Sequence, residues 1–277
     1  MATIGEPTER LREVRDEWRA GVSALVSYRY LGTYSERRGR HEAEGWLKVR
    51  RDMRGPVGLL AAPLGIALLD TAGINVDPLA VVSPTRIDIH VLERAPDVEE
   101  VHLDGCVLRE GRSQFFTEAR LTDATDRSRL IALGSTHWSV SGPNPGFSYV
   151  DSRPGVADSA DLPPLYEAYG AHLRPDGNLQ IPELTPEIGR NSLHQGPFQV
   201  VSEAAAMLAA RRAVGADRFW IEHQGTSIVA RGTGAPFVTR SEILRIAEGS
   251  LTVRVELRAE GAGDRLCSVT VCRFRLT

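Results

Sequence analysis

Lysine is nearly missing from these 277 residues: Lys48 stands alone among 33 basic residues, and arginine does the rest of the cationic work. We read this as GC-rich coding, with recognition of phosphate by arginine as a second reading. Cysteine is scarce as well. Cys106, Cys267 and Cys272 make an odd count without a C-x-x-C pair, which argues against a disulfide framework and a zinc site. They read as small buried hydrophobes in a reducing cytoplasm, with Cys267 and Cys272, five apart in a strand, expected on opposite faces. The seven histidines form neither H-x-x-x-H nor H-E-x-x-H, so no metal and no resident cofactor is expected. No apolar run approaches the roughly 18 residues of a membrane span. The stretch from Met1 to Arg19 lacks the apolar middle of a secretory signal. With a net charge of −3 there is no basic field to draw in nucleic acid or anionic lipid. The expectation is a cytoplasmic protein without nucleic-acid or membrane partners.

What is present is ordinary globular composition, 42% hydrophobic and 25% charged, in a length that fits one large domain or two of about 130–140 residues. The chain repeats itself. Residues 58–73 form an apolar, alanine-rich segment read as a buried helix, followed by strand-like stretches at 79–93, 98–110, 112–122 and 130–140. The second half follows the same plan: a helix at 196–214 with Pro197 near its first turn, then strands at 218–231, 236–247, 250–258 and 265–276. The turn Glu110-Gly111 answers Glu248-Gly249, and Asp70-Thr71-Ala72 answers Glu203-Ala204-Ala205. Aligning Pro63 with Pro197 instead sets Asp70 opposite Ala204, a rotation of about 100° on the helix. Strands are also expected at 26–31 and 45–50, with second-half counterparts at 165–170 and 178–184. A packing helix is expected at 8–22. The domain plan is a first repeat at 1–141, a linker at 142–164 rich in Pro, Gly, Ser and Asp, and a second repeat at 165–277. A helix that is apolar all round must be wrapped, and a curved antiparallel sheet does that. Two such halves would merge their sheets and set their helices side by side.

Asn191, then His194-Gln195-Gly196, then Glu203 nine residues after the histidine resembles the signature of hotdog-fold acyl-CoA thioesterases of the phenylacetate-degradation type. That pattern is an asparagine, a histidine-glycine-glycine and an acid followed by small residues. Leu68-Leu69-Asp70-Thr71-Ala72 is similar to the family's leucine-alanine-aspartate-threonine-alanine helix segment, and Thr85–Ile89 to its next strand. Two departures stand out: Gln195 replaces the first glycine, and Ala61-Ala62-Pro63 replaces the whole turn in the first half. The resemblance implies an α+β double hotdog, two repeats each with a curved antiparallel sheet around one helix. It also implies hydrolysis of an acyl-CoA thioester, the coenzyme A moiety belonging to the substrate, and sites shared between the two units.

Residues nine apart on one helix lie about 13 Å apart along its axis. The carboxylate facing a helix start must therefore come from the other helix. This assigns Asp70 to the turn His194, Gln195 and Gly196, with Asn191 orienting substrate or water. Glu203 faces the Ala61–Pro63 turn in a second, degenerate site. The helix-start N–H groups would hold the oxyanion, and the carboxylate would act as general base or nucleophile. Thr71, Thr226, Arg112 and Arg231 are candidate substrate contacts. Two alternatives stand beside hydrolysis: a non-catalytic acyl-CoA-binding or scaffold protein on the same fold, and a hotdog enoyl-thioester hydratase or dehydratase. Exposed sheet edges leave a homo-oligomer open.

Overall fold

The computed structural model describes residues 24–76, 80–143, 155–215 and 217–277. The helix expected at 8–22 and the linker residues 144–154 lie outside them. Two long helices, α1 (Ala61–Val76) and α3 (Gln195–Val214), are accompanied by a short one, α2 (Leu165–Ala168). The first-half strands are β1 (Tyr34–Arg37), β2 (Glu42–Lys48), β3 (Ala80–Val91), β4 (Glu100–Glu110), β5 (Gln114–Asp123) and β6 (Leu130–Pro143). The second-half strands are β7 (His172–Leu173), β8 (Leu179–Ile181), β9 (Phe219–Ile228), β10 (Phe237–Ala247), β11 (Ser250–Ala259) and β12 (Arg265–Leu276).

The twelve strands among the described residues form one antiparallel sheet in the order β1-β2-β4-β5-β6-β3-β9-β12-β11-β10-β8-β7. Read from the centre outward, the two halves are the same list, β3-β6-β5-β4-β2-β1 and β9-β12-β11-β10-β8-β7. The halves join through five residue pairs, from Arg86↔Ser227 to His90↔His223. This is the double hotdog arrangement. The turns at Glu110-Gly111 and Glu248-Gly249 close the equivalent β4–β5 and β10–β11 hairpins, and Gly249 takes the left-handed φ of 73° its turn requires.

The helices sit inside the curl. Every residue of α1 from Ala61 to Gly73 is buried, as a helix apolar nearly all round demands, and Asp70 and Thr71 are buried with the rest. In α3 the buried stretch extends to Ala210, and Arg211 and Arg212 return the helix to solvent before Gly215 caps it at φ 66°. The sheet approaches α1 closely because glycine lies beneath it. A Cβ on Gly134 of β6 would stand 2.6 Å from Leu68 Cδ2 and 2.9 Å from Ile89 Cδ1.

The structure departs from the sequence reading at three places. Residues 26–31 are not a strand: Ser27–Leu31 form one π-helical turn ended by Gly32 at φ 75°. The carbonyls of Tyr30 and Leu31 accept from the buried Arg50 guanidinium at 3.0 and 3.1 Å instead of from a neighbouring strand. Residues 165–170 are not a strand either. Pro163 and Pro164 have no N–H for a ladder, and Pro164 instead starts α2, its carbonyl accepting from Glu167 N at 2.9 Å. Cys267 and Cys272 are both buried, because the β11–β12 register skips Cys267 between Leu257↔Ser268 and Arg258↔Leu266 and the alternation breaks there. All three cysteines are free thiols. No helix among the described residues is long and apolar enough to cross a membrane.

Gly134→Val forces branched carbons into Leu68 and Ile89. It should destabilise the fold by about 1–3 kcal/mol in equilibrium urea unfolding, whereas unchanged stability would mean that the sheet does not rest on α1 at this strand.

Candidate active site

Pro63 and Pro197 each occupy the third position of their helix, where a missing N–H leaves no hydrogen bond unmade. Matched on their starts, the helices place Glu203 as the ninth residue of α3 and Asp70 as the tenth of α1. The structure thus follows the proline alignment, and the two acids leave their helices about 100° apart in phase. Gln199 of α3 packs against Gly65 of α1, and four residues further along α3 Glu203 meets Ala61 and Ala62. Moving forward along α3 is moving backward along α1, so the helices run antiparallel.

Glu203 is 2% exposed. Its two carboxylate oxygens accept from the first N–H groups of α1, Ala61 N at 2.7 Å and Ala62 N at 2.9 Å. Burial pushes the Glu203 carboxyl up to about 7, and the two amide donors only partly offset this. Cys272, buried beneath, has its thiol held far above the usual range by burial, with the charge of Glu203 adding to it. A cavity of about 630 Å³ opens on Glu203. Its wall is apolar, built from Leu60, Leu165, Val200, Met207, Leu208 and Phe219, and Arg51, Arg54 and Arg211 stand around it. The cross-helix pairing expected from the sequence is present here, acid of one repeat against helix start of the other.

The partner arrangement differs. Asp70, 6% exposed, accepts a short hydrogen bond from Thr33 Oγ1. Against Gly196 the space is already filled: a Cβ there would lie 2.4 Å from Ser27 Oγ and 2.5 Å from Tyr169 Cε1. The same Tyr169 senses Asp70: burial holds its phenol above the ordinary value, Ser27 works against this, and the Asp70 charge adds to the rise. His194 is the N-cap of α3 but makes no side-chain cap, and its enclosed imidazole is pushed down to about 4, hence neutral at pH 7. His194, Gln195, Asn191 and Arg231 line a second cavity of about 680 Å³, with Phe198 and residues 83–85 and 228–232; Asp70 is not among its lining residues.

Thr71 donates to Ala67 O at 2.9 Å and packs under Gly45 and Gly105, a packing position. Thr226 shares a hydrogen bond of 3.0 Å with Thr270 in the core. Arg112 is exposed on the β4–β5 turn and lines neither cavity. Glu44, His102 and Asp104 offer ligand atoms within 4.8 Å of one another, the kind of group that can hold a metal ion. Arg38 already pairs with Glu44 at 2.7 Å, and the Arg127 guanidinium lies against His102 Nδ1. Sequence reading missed the cavity wall from α2 and the Arg51–Arg54 turn, because nothing in those segments signals contact with α3, which follows α2 after β7 and β8 and lies about 150 residues beyond the turn.

No protein-family model and no curated protein matches the chain. Solved structures do. A TesB protein of Mycobacterium avium subspecies paratuberculosis is 11% identical, with 88% of this chain covering 95% of that one at a TM-score of 0.61. The acyl-CoA thioesterase II TesB2 of Mycobacterium marinum is 14% identical over the same shares, 88% and 95%, at 0.60. A protein of unknown function with a hot dog fold from Alicyclobacillus acidocaldarius is 10% identical over 88% and 95%, at 0.58. The chain is a double hotdog protein, and at these identities the likeness carries the fold alone.

A carboxyl-carbon NMR titration should show Glu203 with a midpoint near 7, well above the ~4.3 of a glutamate in water. Its uncharged form is the one the fold favours. Its contribution to stability is therefore present in acid and is lost as pH rises through about 7. A midpoint near ~4.3 would mean that water reaches the carboxyl.

Proposed function

We propose that the protein hydrolyses acyl-CoA thioesters, with Glu203 as general base and the N–H groups of Ala61 and Ala62 as the oxyanion hole. The observation that supports this is the seat of the Glu203 carboxylate on those two amides, at 2.7 and 2.9 Å, beside an apolar cavity of about 630 Å³. Amide pairs at a helix start carry partial positive charge and cost no reorganisation when an anion forms on them. The acyl chain occupies the apolar wall, and its thioester oxygen displaces the carboxylate from the amides. A carboxyl with a midpoint near 7 is half ionised at neutral pH and strong enough to take a proton from water.

The steps balance without a cofactor. Water oxygen bonds to the thioester carbon while Glu203 accepts a water proton. The tetrahedral oxyanion then collapses and the carbon–sulfur bond breaks. The thiolate takes the proton back from Glu203, leaving a carboxylic acid and free coenzyme A. Attack by the carboxylate itself, through a mixed anhydride, is the nucleophilic variant of the same site.

This reverses the ranking of the two centres that the motif suggests. A centre built from Asp70, His194, Gln195, Gly196 and Asn191 is the weaker of the two, because Thr33 engages Asp70 and Ser27 and Tyr169 pack against Gly196. Arg231, at the cavity that His194 and Gln195 line, remains a candidate contact for coenzyme A phosphates. The non-catalytic acyl-CoA-binding reading also draws on the seat of Glu203. If the carboxylate stays on the amides when ligand binds, no oxyanion hole opens. Three free cysteines fit a cytoplasmic setting.

Thiol release from a panel of acyl-CoAs tests this. Turnover is expected with kcat rising through a midpoint near 7. Glu203→Gln should lower kcat by about 10²- to 10⁴-fold, with Asp70→Asn doing less. The opposite ranking would move the base to Asp70, and binding without turnover for every acyl length would favour the binding protein.

A further inference from the structure

Hydrolysis at Glu203 needs a water held on one side of the carboxylate while the acyl chain takes the other. The cavity lies on the side of Val200, Ala204 and Met207. Gln199 precedes Glu203 by one helical turn and leaves α3 on the same face, toward α1. Gln199 is fully buried, yet neither Oε1 nor Nε2 has a partner among the described residues. Two neighbours share this condition: Ser202 Oγ, one residue before Glu203, and Gln224 Oε1 on β9. Gln224 is tied to the same turn, its Nε2 donating to the Gln199 carbonyl at 3.0 Å. Across from them stands Gly65 of α1, where a Cβ would lie 3.1 Å from Gln199 Oε1 and 3.5 Å from Ile89 Cγ1. Neither Gln199, Ser202 nor Gln224 lines the acyl cavity.

A buried polar group without a hydrogen bond costs about 1–3 kcal/mol, which a hydrophobic residue of the same size would avoid. Two such residues within one turn of Glu203, with Gln224 held against the Gln199 carbonyl, suit a molecule with two donors and two acceptors. A site for one water needs two to four polar partners, and these residues supply them. We infer that Gln199 is a positioning residue for the hydrolytic water. Its Oε1 accepts one O–H of the water, Glu203 accepts the other, and Ser202 Oγ supplies a further contact. The water lone pair is then left pointing at the thioester carbon held on Ala61 and Ala62. The inference rests on hydrolysis at Glu203 but adds a group that this reading does not itself require.

Gln199→Met keeps the length and volume of the side chain and removes both polar atoms. With acyl-CoA as substrate, kcat should fall about 10- to 100-fold and KM should stay within about twofold. The melting temperature should not fall, because methionine fills the same volume and removes a buried amide nitrogen that has no acceptor. Added hydroxylamine should restore thiol release more strongly in the variant than in the wild type, since it replaces a water that is no longer held. Gly65→Ala, which presses a methyl on Gln199 Oε1 without touching Glu203, should lower kcat in the same direction and guards against misfolding of the first variant. An active wild type with unchanged kcat and hydroxylamine response in both variants overturns the role of Gln199 alone. A wild type that turns over no acyl-CoA overturns it together with the hydrolase reading.

Discussion

The molecule turns on one contact, the grip of two helix-start amides on a buried acid from the other repeat. Ala61 and Ala62 have N–H groups that no residue of their own helix can satisfy, and Glu203 has a charge that the core cannot tolerate unpaired. Each resolves the other's deficit. The contact also fixes geometry. An acid nine residues into one helix can reach the first residues of another only if the two run antiparallel and touch, which sets the helices side by side under a single sheet. The price is an acid held near neutrality in its titration, which is the property a base needs.

Duplication would be expected to produce this contact twice, yet the repeats have diverged by one residue of phase. Asp70 stands one position further along its helix than Glu203 does, and a rotation of about 100° is enough to turn it to Thr33. The space against the opposite helix start is then taken by Ser27 and Tyr169. Tyr169 follows directly from α2, and Ser27 belongs to the π-helical turn, so the two segments misread as strands are the ones that close the second centre. The motif-bearing turn of His194, Gln195 and Gly196 retains its sequence, while the turn that lost the motif has the acid on its amides. Backbone N–H groups explain this inversion: alanine offers them as well as glycine does, so loss of the glycines does not remove an anion site.

Much of the fold was legible in the chain. The ten longest elements among the described residues lie within a few residues of the segments read from hydrophobic runs and turn residues, because a helix buried all round leaves a continuous apolar run and the strands are bounded by turn-forming residues. The pairing of Glu203 with the Ala61 turn was legible too, since it follows from helix rise and the spacing of nine. The failures had local causes. At 26–31 the carbonyls bond to a buried Arg50, a side chain from another element, and at 165–170, where the repeat suggested a counterpart strand, two prolines start a helix. Thr71 and Thr226, polar and near the motifs, turned out to serve packing and core hydrogen bonds.

The sequence by itself determined the repeat, the wrapped helices, and that Glu203 must face the Ala61 helix start, because these depend on spacing along one chain and on the sign of a helix terminus. Only the tertiary structure decided which of the two acids sits on free amides beside an open apolar cavity, and that Gln199 lies bare in the crossing of the helices. Those outcomes depend on a single residue of rotational phase and on side chains arriving from segments a hundred residues away, and no local pattern encodes either.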